Sequence, residues 1–145
     1  MVHDRIARRP TPWHSGITRD HRRVLYATFA GWTFDGYETQ ALIVAIAPAL
    51  RQLLDPSQQA RIGFYAGLAI GLTLLGWGIG GLIGGVLADY IGRKRLMLLA
   101  ILGYALFTGL TALSTSFEML VVFRILTGIA MGSEWATGTV LLHET

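Results

Sequence analysis

The sequence predicts an all-α membrane protein, and three observations carry that prediction. Hydrophobic residues make up 52% of the 145 residues and charged residues only 14%, roughly half the charged share usual in soluble domains. Two long runs, 62–88 and 96–114, contain no charged residue at all. Three consecutive cations, Arg93, Lys94 and Arg95, stand between those runs. No backbone polar group can go unsatisfied in hydrocarbon, so runs of this kind must be helices.

The elements follow in chain order. Residues 1–23 are polar and basic and read as a cytoplasmic tail, in which His3, His14 and His21 are solvated residues rather than metal ligands. A cleavable leader ending near Ala45-Ile46-Ala47 is disfavoured, because the run before it is too long and Asp35 and Glu38 interrupt it. Residues 24–145 form a partial transmembrane domain with spans expected at about 24–50, 62–88, 96–114 and 119–142. Lys and Arg collect on the cytoplasmic side of spanning helices. Nine cations lie in the tail and the second connection, against Arg51 and Arg61 on the other side. This puts the N-terminus of an integral membrane protein in the cytoplasm.

Glycine shapes the second span. Of the 18 glycines, Gly63, Gly67 and Gly71 recur every four residues, and so do Gly76, Gly80 and Gly84. Small residues at this spacing let neighbouring membrane helices approach closely, so Gly67, Gly71, Gly76, Gly80 and Gly84 are expected packing positions. Gly76-Trp77-Gly78-Ile79-Gly80-Gly81 also matches a dinucleotide fingerprint, but a cofactor site would need a strand just before it. Here the glycines lie inside one apolar run. No cysteine is present, and neither a metal-ligand cluster nor a cofactor motif is found. No catalytic residue or cofactor is expected, and an enzyme is not. A nucleic-acid partner would need a basic face on a folded domain, and the cations here flank spans instead.

Four charged residues lie inside spans: Asp35 and Glu38 in the first, Arg124 and Glu134 in the fourth. Charge inside a bilayer is costly and faces protein or water. The first and fourth spans should therefore border a polar interior, and the third, with no such residue, should be peripheral. Asp35 lies about eleven residues into its span and Glu134 about fifteen into its own, which brings both near the midplane at roughly 1.5 Å per residue. Two carboxylates at one depth suit a proton carrier. Arg124 has three open roles: binding an anionic substrate, pairing with Glu38 or Glu134, or snorkelling outward.

These segments carry a family resemblance. Gly85, Asp89, Gly92, Arg93, Lys94 and Arg95 fall on the pattern G-x-x-x-D-[RK]-x-G-R-[RK]-[RK] found between the second and third helices of the major facilitator superfamily, with Tyr90 departing from it. Gly31-Trp32-Thr33-Phe34-Asp35-Gly36-Tyr37-Glu38 resembles the first-helix segment of its proton-coupled organic-anion branches, the sialate and lactate type and the metabolite symporters. The stretch Arg124 to Trp135 resembles their fourth-helix segment. There Ala130 and Ser133 replace two glycines, so looser packing is expected.

The resemblance implies twelve helices in two six-helix halves that rock about a central site. This chain would supply four helices of the N-terminal half, as a fragment. Its partners would be the bilayer, the remaining helices, a small organic anion and a proton. In the family Asp89 caps a helix of the second half, and Arg93 with Glu144 forms an inner-gate charge cluster. The function implied is proton-coupled symport of a carboxylate, sugar acid or aromatic acid by alternating access. A four-helix scaffold protein or an oligomeric channel is the alternative from another class.

Overall fold

The computed structural model describes residues 19–144, with side chains through residue 141. Four helices account for most of it: α1 (Arg19–Leu53), α2 (Ile62–Ile91), α3 (Arg93–Thr111) and α4 (Phe117–Glu144), with one 3₁₀ turn, Gln59–Arg61, leading into α2. No strand occurs among the described residues.

α1 begins inside the expected tail. Asp20 sits in its first turn, where a carboxylate meets the positive end of the helix dipole. It also pairs with Arg23 at 3.3 Å. Positions 1–18 of the tail, His3 and His14 included, lie outside the described residues. α2, α3 and α4 are long and apolar enough to cross a membrane. α1 is longer but falls short on composition, because Asp35 and Glu38 stand in its middle among Thr33, Thr39 and Gln40. Both carboxylate residues are turned inward and buried.

The basic connection is tighter than expected. A turn spanning residues 89–95 is anticipated from the sequence, but α2 ends at Ile91 and α3 starts at Arg93. Gly92 alone joins them, with φ +88° and ψ 135°, a conformation that only glycine adopts without strain. Its N–H donates to the Ala88 carbonyl and its carbonyl accepts from the Leu96 N–H, both at 3.0 Å, so one residue closes both helices. Arg93, Lys94 and Arg95 therefore occupy the first turn of α3, where the dipole disfavours cations. Asp89, one turn earlier, reaches across the elbow to Arg93 at 3.3 Å. At the other end of the pair, the Ser116 hydroxyl accepts the Met119 N–H at 3.2 Å and caps α4.

α2 and α4 meet backbone to backbone. A Cβ at Gly76 would strike the Ile125 carbonyl, one at Gly80 the backbone of Ile129, and one at Gly84 the Cα of Ser133. From the other side, Gly128 lies against Thr73 and Gly132 against Trp77 and Gly81. Ser133 does not loosen this seam, contrary to the expectation. It is buried, touches Gly84, and shares its one hydroxyl proton between the Gly80 carbonyl at 3.0 Å and the Ile129 carbonyl at 2.9 Å. Gly67 and Gly71 are not part of the seam: added Cβ atoms there would meet open space among the described residues. The five-residue step from Gly71 to Gly76 explains this, since it turns Gly76 about 140° round the helix from Gly71, about 100° off the i+4 ridge.

α3 lies along α4, with Gly103 against the Ala130 methyl. α1 touches α4 through side chains instead, as Thr28 meets Gly138 and the Glu134 carboxylate fits against Gly31. Ile46, Leu50, Leu54, Ala69 and Leu120 form a buried apolar cluster where α1 ends and α4 begins. Large apolar side chains such as Val44, Leu82, Val86 and Leu113 cover the outer faces, as a surface against acyl chains requires.

Candidate functional site

The polar interior lies between α1, α3 and α4, in two layers. In the first, Arg124 is 2% exposed and its guanidinium donates from Nη1 to Glu38. It also donates from Nε at 3.1 Å and from Nη2 at 2.9 Å to the Thr111 hydroxyl. Thr111 passes its own proton to the Phe107 carbonyl at 2.8 Å. Of the three roles left open for Arg124, the structure shows a buried pair with Glu38. Glu134 is not its partner.

The second layer lies one helical turn along α1. Asp35 is 4% exposed and accepts the Trp135 indole N–H on Oδ2 at 3.0 Å, leaving Oδ1 without a partner among the described residues. Trp135 stacks on Trp32 with ring centroids 4.6 Å apart and planes 15° apart, and meets Trp77 edge-on at 5.7 Å. Such aromatic pairs add stability beyond their burial. Glu134 is 1% exposed, and neither of its carboxylate oxygens has a hydrogen-bond partner among the described residues. It can sit there because Gly31 leaves no Cβ in its way. The Thr28 hydroxyl and the Trp32 indole N–H are likewise buried and unpaired.

A cavity of about 480 Å³ opens beside the first layer. Glu38 and Arg124 form part of its wall, and α3 contributes Tyr104, Thr108 and Thr111. The third helix is therefore not merely peripheral. A tyrosine and two threonines in an apolar run carry no sequence signal by themselves, so this polar face shows only in the fold.

The Major Facilitator Superfamily model matches residues 28–145, across both layers and the α2–α3 elbow. The chain belongs to that superfamily. It is 31% identical over 133 residues to a probable 4-methylmuconolactone transporter of Cupriavidus pinatubonensis, covering 91% of this chain and 29% of that protein. The sialic acid transporter NanX of Escherichia coli is 31% identical over 137 residues, covering 93% and 32%. The 4-hydroxybenzoate transporter PcaK of Acinetobacter baylyi is 39% identical over 112 residues, covering 76% and 23%. The chain thus spans about a third or less of the length of these relatives. No solved structure matches it. Relatives that are transporters do not favour a scaffold or a channel.

The residues expected to form a gate sit at one end of the helices. Asp89 is 70% exposed at its side chain, Lys94 and Arg95 are exposed, and Gly85 has nothing within contact of an added Cβ. Asp89 has an intramolecular role as well, since it holds Arg93 across Gly92. The Glu144 side chain lies outside the described residues. The glycine seam, elbow and polar layers together form part of the N-terminal half of a major facilitator fold.

Proposed function

We propose that the protein carries a small organic anion across a bacterial inner membrane by proton-coupled symport, working by alternating access together with further helices. Its N-terminus faces the cytoplasm. The observation that carries this reading is Glu134, a carboxylate within the bilayer-spanning helix α4 that is 1% exposed and has no hydrogen-bond partner among the described residues. A buried charged group without a partner is expensive, and structural roles provide one. Arg124 shows the contrast, because Glu38 and Thr111 meet it from two helices. A carboxylate left unpaired is a place where a proton is taken up and given back as the cavity opens to water. Asp35, with one free oxygen across the same α1–α4 seam, is the second member.

The substrate class follows from two supports. Relatives are named for sialic acid, gallate and 4-hydroxybenzoate, all organic acids. The basic elbow favours anions over cations. The exposed Asp89, Lys94 and Arg95 and the half-buried Arg93 serve as the cytoplasmic gate, with Glu144 as their acidic counterpart.

The test is uptake of a labelled aromatic or sugar acid into vesicles holding the native-length polypeptide, with and without an imposed pH gradient. Wild-type protein accumulates the anion above equilibrium, and a protonophore collapses the accumulation. Asp35→Asn and Glu134→Gln keep exchange of internal for external substrate but lose pH-driven accumulation. Full accumulation by both variants would remove these carboxylates from the proton path.

A further inference from the structure

We infer that Thr111 on α3 is the positioning residue of the buried charge pair: its hydroxyl holds the Arg124 guanidinium so that Nη1 faces Glu38. The inference rests on the transport reading only for its functional consequence, since the geometry stands without it.

The geometry has four parts. Arg124 is 2% exposed, so its donors cannot be met by bulk water. Two of them, on Nε and Nη2, converge on a single oxygen, Thr111 Oγ1, at 3.1 and 2.9 Å. That oxygen is itself fixed, because its proton goes to the Phe107 carbonyl at 2.8 Å and both lone pairs are left for Arg124. The far edge of the guanidinium is thereby turned toward Glu38 on α1. A planar guanidinium gripped at two nitrogens has one orientation left. Held by Glu38 alone, it could rotate into the 480 Å³ cavity that both residues line. Thr111 therefore ties three helices at one point, and α3 sets the direction in which α4 presents its cation to α1.

The role depends on the hydroxyl and not on the shape of the side chain, and two substitutions separate these. Thr111→Val keeps the volume and loses the oxygen. Thr111→Ser keeps the oxygen and loses a methyl group. The readout is the rate at which Arg124 is modified by a membrane-permeant dicarbonyl reagent in native-length protein in its membrane, followed by mass spectrometry. Thr111→Val raises that rate about tenfold or more, the effect of losing hydrogen bonds to a charged donor. Thr111→Ser leaves it within about twofold of wild type. Equal rates in all three proteins, or a rise confined to Thr111→Ser, overturn the inference.

If Thr111→Val does not reach the membrane, the triple variant Thr111→Val/Arg124→Met/Glu38→Met decides, since Glu38 would otherwise be left buried without its cation. Recovery of its membrane level follows when Thr111 serves Arg124, because removing every polar partner together is nearly neutral. No recovery overturns the inference. Where pH-driven uptake is present, Thr111→Val raises KM for the anion more than it lowers maximal rate, and Thr111→Ser restores KM. A failure of transport in the wild-type protein would sink the symport reading while leaving the labelling result to judge Thr111.

Discussion

Replacing Gly80 by alanine puts one methyl group into the α2–α4 seam. The added Cβ would lie 2.6 Å from Ile129 Cα and 2.7 Å from its carbonyl carbon. Ordinary contacts of this kind fall at 3.4–4 Å, so the helices must part by about 1 Å. Nothing else can give way, because the atoms struck are backbone and not the ends of flexible side chains. Overpacking of this sort costs about 1–3 kcal/mol. The Ser133 hydroxyl bond to the Gly80 carbonyl, now 3.0 Å, would stretch beyond hydrogen-bonding range and forfeit about 1 kcal/mol more. A loss of about 2–4 kcal/mol is therefore expected for Gly80→Ala. Gly67→Ala is the matched control, since its Cβ meets open space. It should be neutral or slightly stabilising through helix propensity. The assay is equilibrium unfolding in mixed micelles with increasing dodecyl sulfate, read by circular dichroism. If Gly80→Ala and Gly67→Ala unfold at the same detergent fraction, α2 and α4 do not meet as described.

Three further predictions follow from the same reasoning. Gly92→Ala forces a side chain into a left-handed conformation and should cost about 1–3 kcal/mol; Gly85→Ala, in open space, should not, and equal unfolding of the two would contradict the one-residue elbow. Glu38→Gln leaves Arg124 buried without an anion and should cost about 3–5 kcal/mol, measured as thermal stability in detergent. The double variant Glu38→Met/Arg124→Met should regain most of it, and no regain would argue against the pair. Trp135→Phe keeps a ring against Trp32 but removes the donor to Asp35, with an expected loss of about 1.5–3 kcal/mol; an unchanged unfolding midpoint would show that the bond carries no weight.

Particular residues show what was legible in the sequence. The helical class was readable because charge-free runs of this length admit little else. Asp35, Glu38, Arg124 and Glu134 stood out because charge inside such runs is rare, and the structure brings all four to the interface of α1 and α4. Partner choice was not readable. The spacing left Arg124 open to Glu38 or Glu134, and only the relative depth of α1 and α4 decides for Glu38.

Thr111 was hidden for a different reason: a threonine in an apolar helix usually bonds its own i−4 carbonyl, as Thr73, Thr127 and Thr137 do. Thr111 does this too, and only its lone pairs distinguish it. Gly67 and Gly71 share the i+4 spacing of Gly76, Gly80 and Gly84, so both sets are expected to pack, and only the phase break after Gly71 separates them. Three cations in a row suggest a loop, but here they open α3, so the elbow is shorter than the sequence suggests.

The α2–α4 seam also has a consequence for heredity. Gly76, Gly80, Gly84, Gly128 and Gly132 each present bare backbone to backbone of the other helix. No residue is smaller than glycine, so every missense change in these five codons adds atoms where there is no room. Elsewhere in the chain a substitution can err toward too large or too small, and a second change nearby can compensate. Here the error has one sign, and the opposing surface is main chain, which no mutation can trim. Selection at these sites can only remove variants, and a saturation scan of the gene should show five columns in which glycine stands alone.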